Sequence, residues 1–228
     1  MSARQPPVAS LPRRRILIVD DHPLTRRGAA QLINQQEDLT VCGEAGNAEQ
    51  ALAAVDSLKP HLVLADMALP GRQGLELIKD LKALYPEILV LVLSMHDEKL
   101  YAERALHAGA RGYLMKSEGG EKLIEAIRQV LAGKIFLSQS LSAELCAALS
   151  QGRRRVDESA LAVLTDREFE VFESIGQGLT THEIGAQLHL SGKTVETHRR
   201  HIREKLGLRT SPELIKFAVR WAGSRELL

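Results

Sequence analysis

His61-Leu-Val-Leu-Ala-Asp66-Met-Ala-Leu-Pro70-Gly71 decides how the rest of the chain is read. Leu62 to Ala65 is a continuous apolar run, bounded by Pro60 before and Pro70-Gly71 after, and it reads as a short buried strand whose last residue meets a loop. Asp66 therefore stands at a strand's carboxyl end. In open parallel sheets that edge is where ligands bind, because loops form a crevice there while the rest of the strand is packed under helices. A lone aspartate at such a place can equally cap the next turn, so its role depends on its neighbours.

Working outward, Arg15 to Asp20, Thr40 to Ala45, Ile88 to Ser94 and Gly112 to Lys116 are also short apolar runs, the first three carrying β-branched residues. Five strands are expected. Between and after them, Leu24 to Gln35, Asn47 to Leu58, Gly74 to Tyr85, Glu98 to Ala108 and Glu121 to Ala132 carry apolar residues three and four apart, the period of a helix packed on one side. Strands alternating with helices predict a parallel, doubly wound sheet covered on both faces. Asn47 stands where a helix N-cap is expected, and Gly109 and Gly133 where C-caps are expected.

The ends of these strands carry Asp20-Asp21, Asp66, Ser94 and Lys116. Three carboxylates at one crevice repel and raise one another's pKa unless a cation lies among them. Hard oxygen donors with open positions suit magnesium, which favours one or two carboxylates plus a phosphate oxygen. A carboxylate can attack phosphorus to form an acyl phosphate, with a metal and a lysine neutralising the equatorial oxygens and a hydroxyl donating a hydrogen bond. Taken singly, Asp20-Asp21 reads as a helix cap, Ser94 as a turn and Lys116 as a solvated charge. Their coincidence on four strand ends favours phosphoryl chemistry.

Residues 1–14, with Pro6, Pro7, Pro12 and three arginines, show no apolar period and are expected to be a mobile tail. After residue 135 the alternation stops. Residues 136–160 read as a linker with one possible helix from Ser142 to Leu149, and Arg153-Arg154-Arg155 reads as either a solvated hinge or a DNA contact.

Residues 161–228 show no strand signal and repeated helix starts. Thr165-Asp-Arg-Glu168 and Thr180-Thr-His-Glu183 fit the capping box, Ser191 precedes a further helix, and Ser211-Pro212 places proline at a first turn. Four helices are expected, near 166–176, 181–188, 192–206 and 212–221. In the third, Val195, Ile202 and Leu206 share a core face, while Lys193, Glu196, Thr197, Arg200 and Glu204 lie opposite, with His201 and Arg203 on the flanks. A helix placed in the major groove presents such a face. Arg200 suits guanine and Glu196 cytosine, while Lys193, Thr194 and Arg203 suit phosphates. The alternative is a solvated basic face.

Charge agrees with this division. The chain is only +1 overall, but residues 15–135 hold 14 Lys+Arg against 17 Asp+Glu, net −3, and Ser191 to Arg209 hold 6 against 2, net +4. The longest apolar runs are strand-sized, so neither a membrane span nor a secretory signal is expected. Cys42 and Cys146 lack any partner spacing, which fits a reducing cytosol. His198-x-x-His201 has no further ligand at matching spacing, so a zinc site is not expected.

Two stretches carry family resemblances. Asp20-Asp21-His22-Pro23, Asp66 with Leu69-Pro70-Gly71 and Gly74, Leu93-Ser94, and Gly112-Tyr113-Leu114-Met115-Lys116 resemble the receiver domain of two-component response regulators, over about Arg15 to Gly133. The resemblance implies strand order 2-1-3-4-5, the flavodoxin-like arrangement, with Asp66 as phosphoacceptor and Mg2+ held by Asp20, Asp21, Asp66 and the Ala68 carbonyl. Ser94 and Lys116 would contact the phosphoryl group, and Tyr113 would turn inward with Ser94, its other reading being an ordinary half-buried aromatic. Two positions depart from the pattern: Ser117 follows Lys116 where many receivers have proline, and Ala65 is smaller than usual. From Leu164 to Trp221, the Leu-Thr-x-Arg-Glu opening, Ser191-x-Lys-Thr-Val and the Lys205-Leu-Gly ending resemble the LuxR-type helix-turn-helix. Together they resemble the NarL/FixJ group. This implies a cytoplasmic, phosphorylation-controlled transcription regulator that takes its phosphoryl group from a sensor histidine kinase or a small donor, dimerises when active and binds paired DNA half-sites. An aspartyl phosphatase would want a second carboxylate at position 68, which is alanine. A ligand-sensing regulator would want an aromatic-lined pocket, and aromatics are 4% of the chain. A regulator of the same fold that ignores phosphate is the remaining rival.

Overall fold

The computed structural model describes residues 12–70, 74–95, 98–143, 161 and 163–223. Most of the expected tail, Gly71, the later part of the 142–149 helix, and Arg153 to Arg155 lie outside the described residues. The chain divides into two compact units, Met1–Leu145 and Cys146–Leu228.

The first unit alternates β1 (Arg14–Val19), α1 (Pro23–Asn34), β2 (Leu39–Ala45), α2 (Ala48–Leu58), β3 (Leu62–Ala65), α3 (Gly74–Leu84), β4 (Leu89–Ser94), α4 (Glu98–Ala108), β5 (Gly112–Met115) and α5 (Gly120–Leu131). The strands form one sheet in the order β2-β1-β3-β4-β5, all pairs parallel. Parallel strands need crossover connections, and α1 to α4 supply the four between successive strands while α5 follows the last strand. On one face Ile16, Ile18, Leu62, Leu64, Leu91 and Leu93 pack against Ile33 of α1 and Leu123, Ile127 and Val130 of α5. Burying each such side chain contributes about 1.5–3 kcal/mol, so strands apolar on both faces hold the sheet between its helix layers. Asn47 caps α2 by accepting from Gln50 N–H at 2.9 Å, and Gly109 and Gly133 take φ of 118° and 80° after α4 and α5.

The first unit does not end at residue 135. Phe136, expected to open the linker, is 5% exposed within the main core, and its backbone bonds to β5: Tyr113 N–H donates to Phe136 O at 2.9 Å and Phe136 N–H to Arg111 O at 3.0 Å. Gly112 makes this approach possible, since a Cβ there would lie 3.0 Å from both Phe136 Cβ and Phe136 O. Beyond it, Ser138 N–H donates to the buried Glu98 carboxylate at 2.7 Å. Phe136→Ala is therefore expected to cost about 3–5 kcal/mol, seen as a lower denaturant midpoint of the first unit's transition at unchanged slope.

The second unit is helical: α6 (Asp166–Gly176), α7 (Thr181–Gln187), α8 (Gly192–Leu206) and α9 (Ser211–Gly223). Both expected capping boxes are formed, Thr165 with Glu168 and Thr180 with Glu183. Ser191 caps α8 through Thr194 N–H, and Gly207 ends it at φ 68°. Phe169, Phe172 and Trp221 fill the core edge to face, with Trp221 centroids 5.7 and 5.3 Å from the two phenylalanine rings.

Candidate functional site

Register places the carboxylates. Val19 pairs with Ala65 across β1 and β3, so the residues that follow, Asp20 and Asp66, leave adjacent strands side by side. Asp66 N–H donates to Val19 O at 2.8 Å. Ala65 pairs with Val92 and Ser94 with Met115, so Ser94 and Lys116 leave the next two strands at the same edge. Gly74 lets α3 begin directly beneath: a Cβ there would stand 2.3 Å from Asp66 O.

At this edge Lys116 Nζ lies 2.6 Å from Asp20 Oδ2 and 2.6 Å from Asp66 Oδ2. The lysine is not a solvated charge, its side chain being 12% exposed against 4% for each carboxylate. Burial pushes the Asp66 carboxyl above the usual carboxylate range, against the pull of Lys116 and with a further push from Asp20. Burial pulls the Lys116 ammonium down, but its two carboxylate partners outweigh that and hold it above the usual lysine value. Asp20 also serves its turn, since Oδ1 accepts from His22 N–H at 2.7 Å. Asp66 Oδ1 accepts from Ala68 N–H at 3.3 Å. Ser94 is fully buried. Tyr113 is not half-buried as one reading had it, but 1% exposed.

The donor set suits a divalent ion. Ligand atoms of Asp20, Asp21, His22 and Asp66 lie within 4.8 Å of one another. His22, which the sequence did not single out, has Nδ1 2.6 Å from Asp21 Oδ1, yet that buried oxygen has no hydrogen-bond donor. Three carboxylates gathered this closely, with one oxygen facing only an imidazole nitrogen, suit a hard cation among them. Arg26, also unforeseen, donates to Asp20 O and reaches Glu44 Oε2 at 3.3 Å, which pins the end of β1 to β2.

In the second unit Val195 and Ile202 are fully buried, while Lys193, Glu196, Arg200 and Glu204 are exposed, as the helical wheel requires. Thr194 and Thr197 are half-buried; the Thr197 hydroxyl donates back to Lys193 O at 3.0 Å. Arg203 is half-buried on the flank of this face: its Nη1 lies 3.5 Å from Arg209 O, in the loop after α8, and its Nε is buried without a partner. From behind, Lys205 Nζ lies 2.6 Å from the buried Glu168 carboxylate, and Arg167 Nη2 donates to Leu188 O at 2.6 Å in the turn before α8. Burial lifts the carboxyl of Glu170, Arg167's other partner, to about 7. Burial also lowers the His198 pKa, with Arg167 adding to it. His198 and His201 join no metal-binding group among the described residues.

Comparison with known proteins agrees with both units. Residues 16–128 match the family described as response regulator receiver domain, and 162–218 match the bacterial regulatory proteins of the luxR family. The chain is 39% identical over 200 residues to the nitrate/nitrite response regulator protein NarL of Escherichia coli K12, covering 87% of this chain and 91% of that one. A structure of the RcsB response regulator of Salmonella typhimurium, described by its conformational dynamism for DNA interaction, superposes with TM-score 0.56 at 25% identity, covering 91% of this chain and 98% of that one. A structure of two RcsB dimers bound to two parallel DNAs gives TM-score 0.56 at 25% identity, over 90% and 98%. No helix among the described residues is long and apolar enough to cross a membrane. A receiver fold with an acidic strand-end crevice, followed by a luxR-family helical unit, places the chain in the NarL/FixJ group of two-component response regulators, the DNA-binding transcription regulators.

Proposed function

We propose that Asp66 is the phosphoacceptor of this regulator and that its phosphorylation controls DNA binding by α8. One observation carries the reading: Lys116 holds Asp20 and Asp66 together at 2.6 Å each at a buried strand edge. A carboxylate oxygen of Asp66 attacks phosphorus of a phosphohistidine on a sensor kinase, or of a small donor. The P–N or P–O bond to the donor breaks, the leaving group takes a proton, and an acyl phosphate forms. Lys116 neutralises charge on the transferred group, and the Ser94 hydroxyl hydrogen-bonds it. Asp20, Asp21, Asp66 and the Ala68 carbonyl would hold Mg2+, which neutralises the phosphoryl oxygens when bound. Tyr113, on the strand beside Ser94, follows the shift of that hydroxyl. A population shift in the receiver then favours a dimer on paired half-sites, the arrangement supported by the RcsB dimers on DNA. On α8, Lys193, Thr194, Glu196, Thr197 and Arg200 meet the groove, with Arg203 at its rim. The proposed setting is the cytoplasm, where kinase and DNA are both accessible.

Mass spectrometry of the chain with acetyl phosphate and Mg2+ tests the site. Wild type is expected to gain one phosphoryl group and Asp66→Asn none. Retention of the gain in Asp66→Asn assigns the phosphoacceptor elsewhere. DNA affinity indifferent to acetyl phosphate favours the regulator that ignores phosphate.

A further inference from the structure

Glu196 stands 59% exposed on the outward face of α8, but it is not free to swing. Its Oε1 accepts from the Thr181 hydroxyl at 2.7 Å, and Arg199 Nη1 donates to that same hydroxyl at 3.2 Å. Arg199 Nε lies 3.8 Å from Glu196 Oε1, and the Arg199 side chain is only 13% exposed. Thr181 is the first residue of α7, and its methyl lies 3.9 Å from where a Gly192 Cβ would be, against the start of α8.

We infer that Thr181, which lies outside the recognition face, is the positioning residue that fixes which base edge Glu196 accepts from; this rests on the reading that α8 enters the major groove. A hydroxyl has one proton. With that proton given to Glu196 and its lone pair taken by Arg199, the chain of donors runs one way, Arg199 to Thr181 to Glu196. One lone pair of Oε1 is thereby taken and the carboxylate is held in one orientation, with Oε2 left to accept from a base edge. An ionised carboxylate only accepts, so its partners in the major groove are the exocyclic amino groups, N4 of cytosine or N6 of adenine, and it opposes guanine O6 and thymine O4. Arg199 keeps a positive charge beside a carboxylate that would otherwise only repel the backbone. Holding the rotamer in the free protein removes ordering that would otherwise accompany binding.

The test uses the full chain. Binding-site selection from randomised duplexes fixes the preferred site, and affinities are then measured on duplexes changed one base at a time, each over a range of salt. Thr181→Val keeps the shape and removes the hydroxyl, whereas Thr181→Ser keeps the hydroxyl. At the position read by Glu196, wild type and Thr181→Ser are expected to prefer an amino-bearing base by about tenfold. Thr181→Val is expected to lose most of that preference, with the salt dependence of nonspecific binding unchanged. Glu196→Ala is expected to lose the same preference, and adding Thr181→Val to it to change nothing further. If Glu196→Ala abolishes the preference while Thr181→Val retains it, the positioning role is overturned and the recognition face stands. If Glu196→Ala leaves every base preference intact, the recognition reading of Glu196 fails and the inference fails with it.

Discussion

Lys116→Ala is expected to destabilise the first unit by about 3–5 kcal/mol in metal-free buffer at neutral pH, because removing one partner of a buried ion pair leaves the others uncompensated. Here two carboxylates, each 4% exposed, share that single ammonium. The loss depends on pH. Asp66 already titrates above the usual carboxylate range because of burial, so its charge opposes folding increasingly as pH rises through its folded value. Below its ordinary value it is protonated in both states and the opposition vanishes. The gap between Lys116→Ala and wild type should thus narrow on acidification. Millimolar Mg2+ should narrow it too, since a cation among Asp20, Asp21 and Asp66 does the lysine's electrostatic work and binding to the folded state alone stabilises by mass action. Thermal melts at two pH values, with and without Mg2+, check this. A melting temperature insensitive to the substitution would mean that Lys116 does not neutralise the crevice.

Trp221→Ala is expected to abolish DNA binding while leaving phosphorylation intact. Trp221 is 8% exposed and packs edge-on against Phe169 and Phe172, and its truncation costs about 3–5 kcal/mol. A helical unit this small holds little stability in reserve, so a loss of that size unfolds it or nearly so. The α8 face then has no scaffold. Gel-shift assays should show no specific complex, calorimetry should show the second unit's transition lost or far below wild type, and acetyl phosphate should still modify Asp66. Retained DNA binding would show that α8 is held without the aromatic cluster.

These units were legible in the sequence to different depths. The two capping boxes follow from residue spacing, and the gathering of Asp20, Asp66 and Lys116 follows from one geometric fact about parallel strands, that their carboxyl ends share an edge. The strand order comes from the resemblance to receiver domains, since periodicity sets which segments are strands and not their order in the sheet. Phe136 was missed because a single bridging residue has no period; its signal was Gly112, whose missing Cβ makes room for another backbone. Thr181 and Glu196 lie 15 residues apart on different helices, and no local pattern links them. The angle of Arg203 on the wheel sets where its side chain leaves the helix, and could not show that its Nη1 comes within 3.5 Å of Arg209 O. His22 was quoted only as part of the Asp20-Asp21-His22-Pro23 motif and given no role, though it shares the acidic crevice.

The strand order has a consequence for how the protein is made. β1, synthesised first, is an interior strand between β2 and β3, and no neighbour pairs with it until a crossover has been completed, so the sheet grows through contacts distant in sequence. Asp20 and Asp66 come together once β3 docks. Their ammonium arrives only with Lys116, after β5, and Phe136 closes that strand later still. In a nascent chain the crevice therefore begins as two repelling carboxylates, and the last strand both finishes the sheet and neutralises it. The lysine that makes Asp66 tolerable leaves the ribosome only after the last strand of the sheet, so a chain interrupted before Lys116 holds an acidic crevice that its own fold opposes.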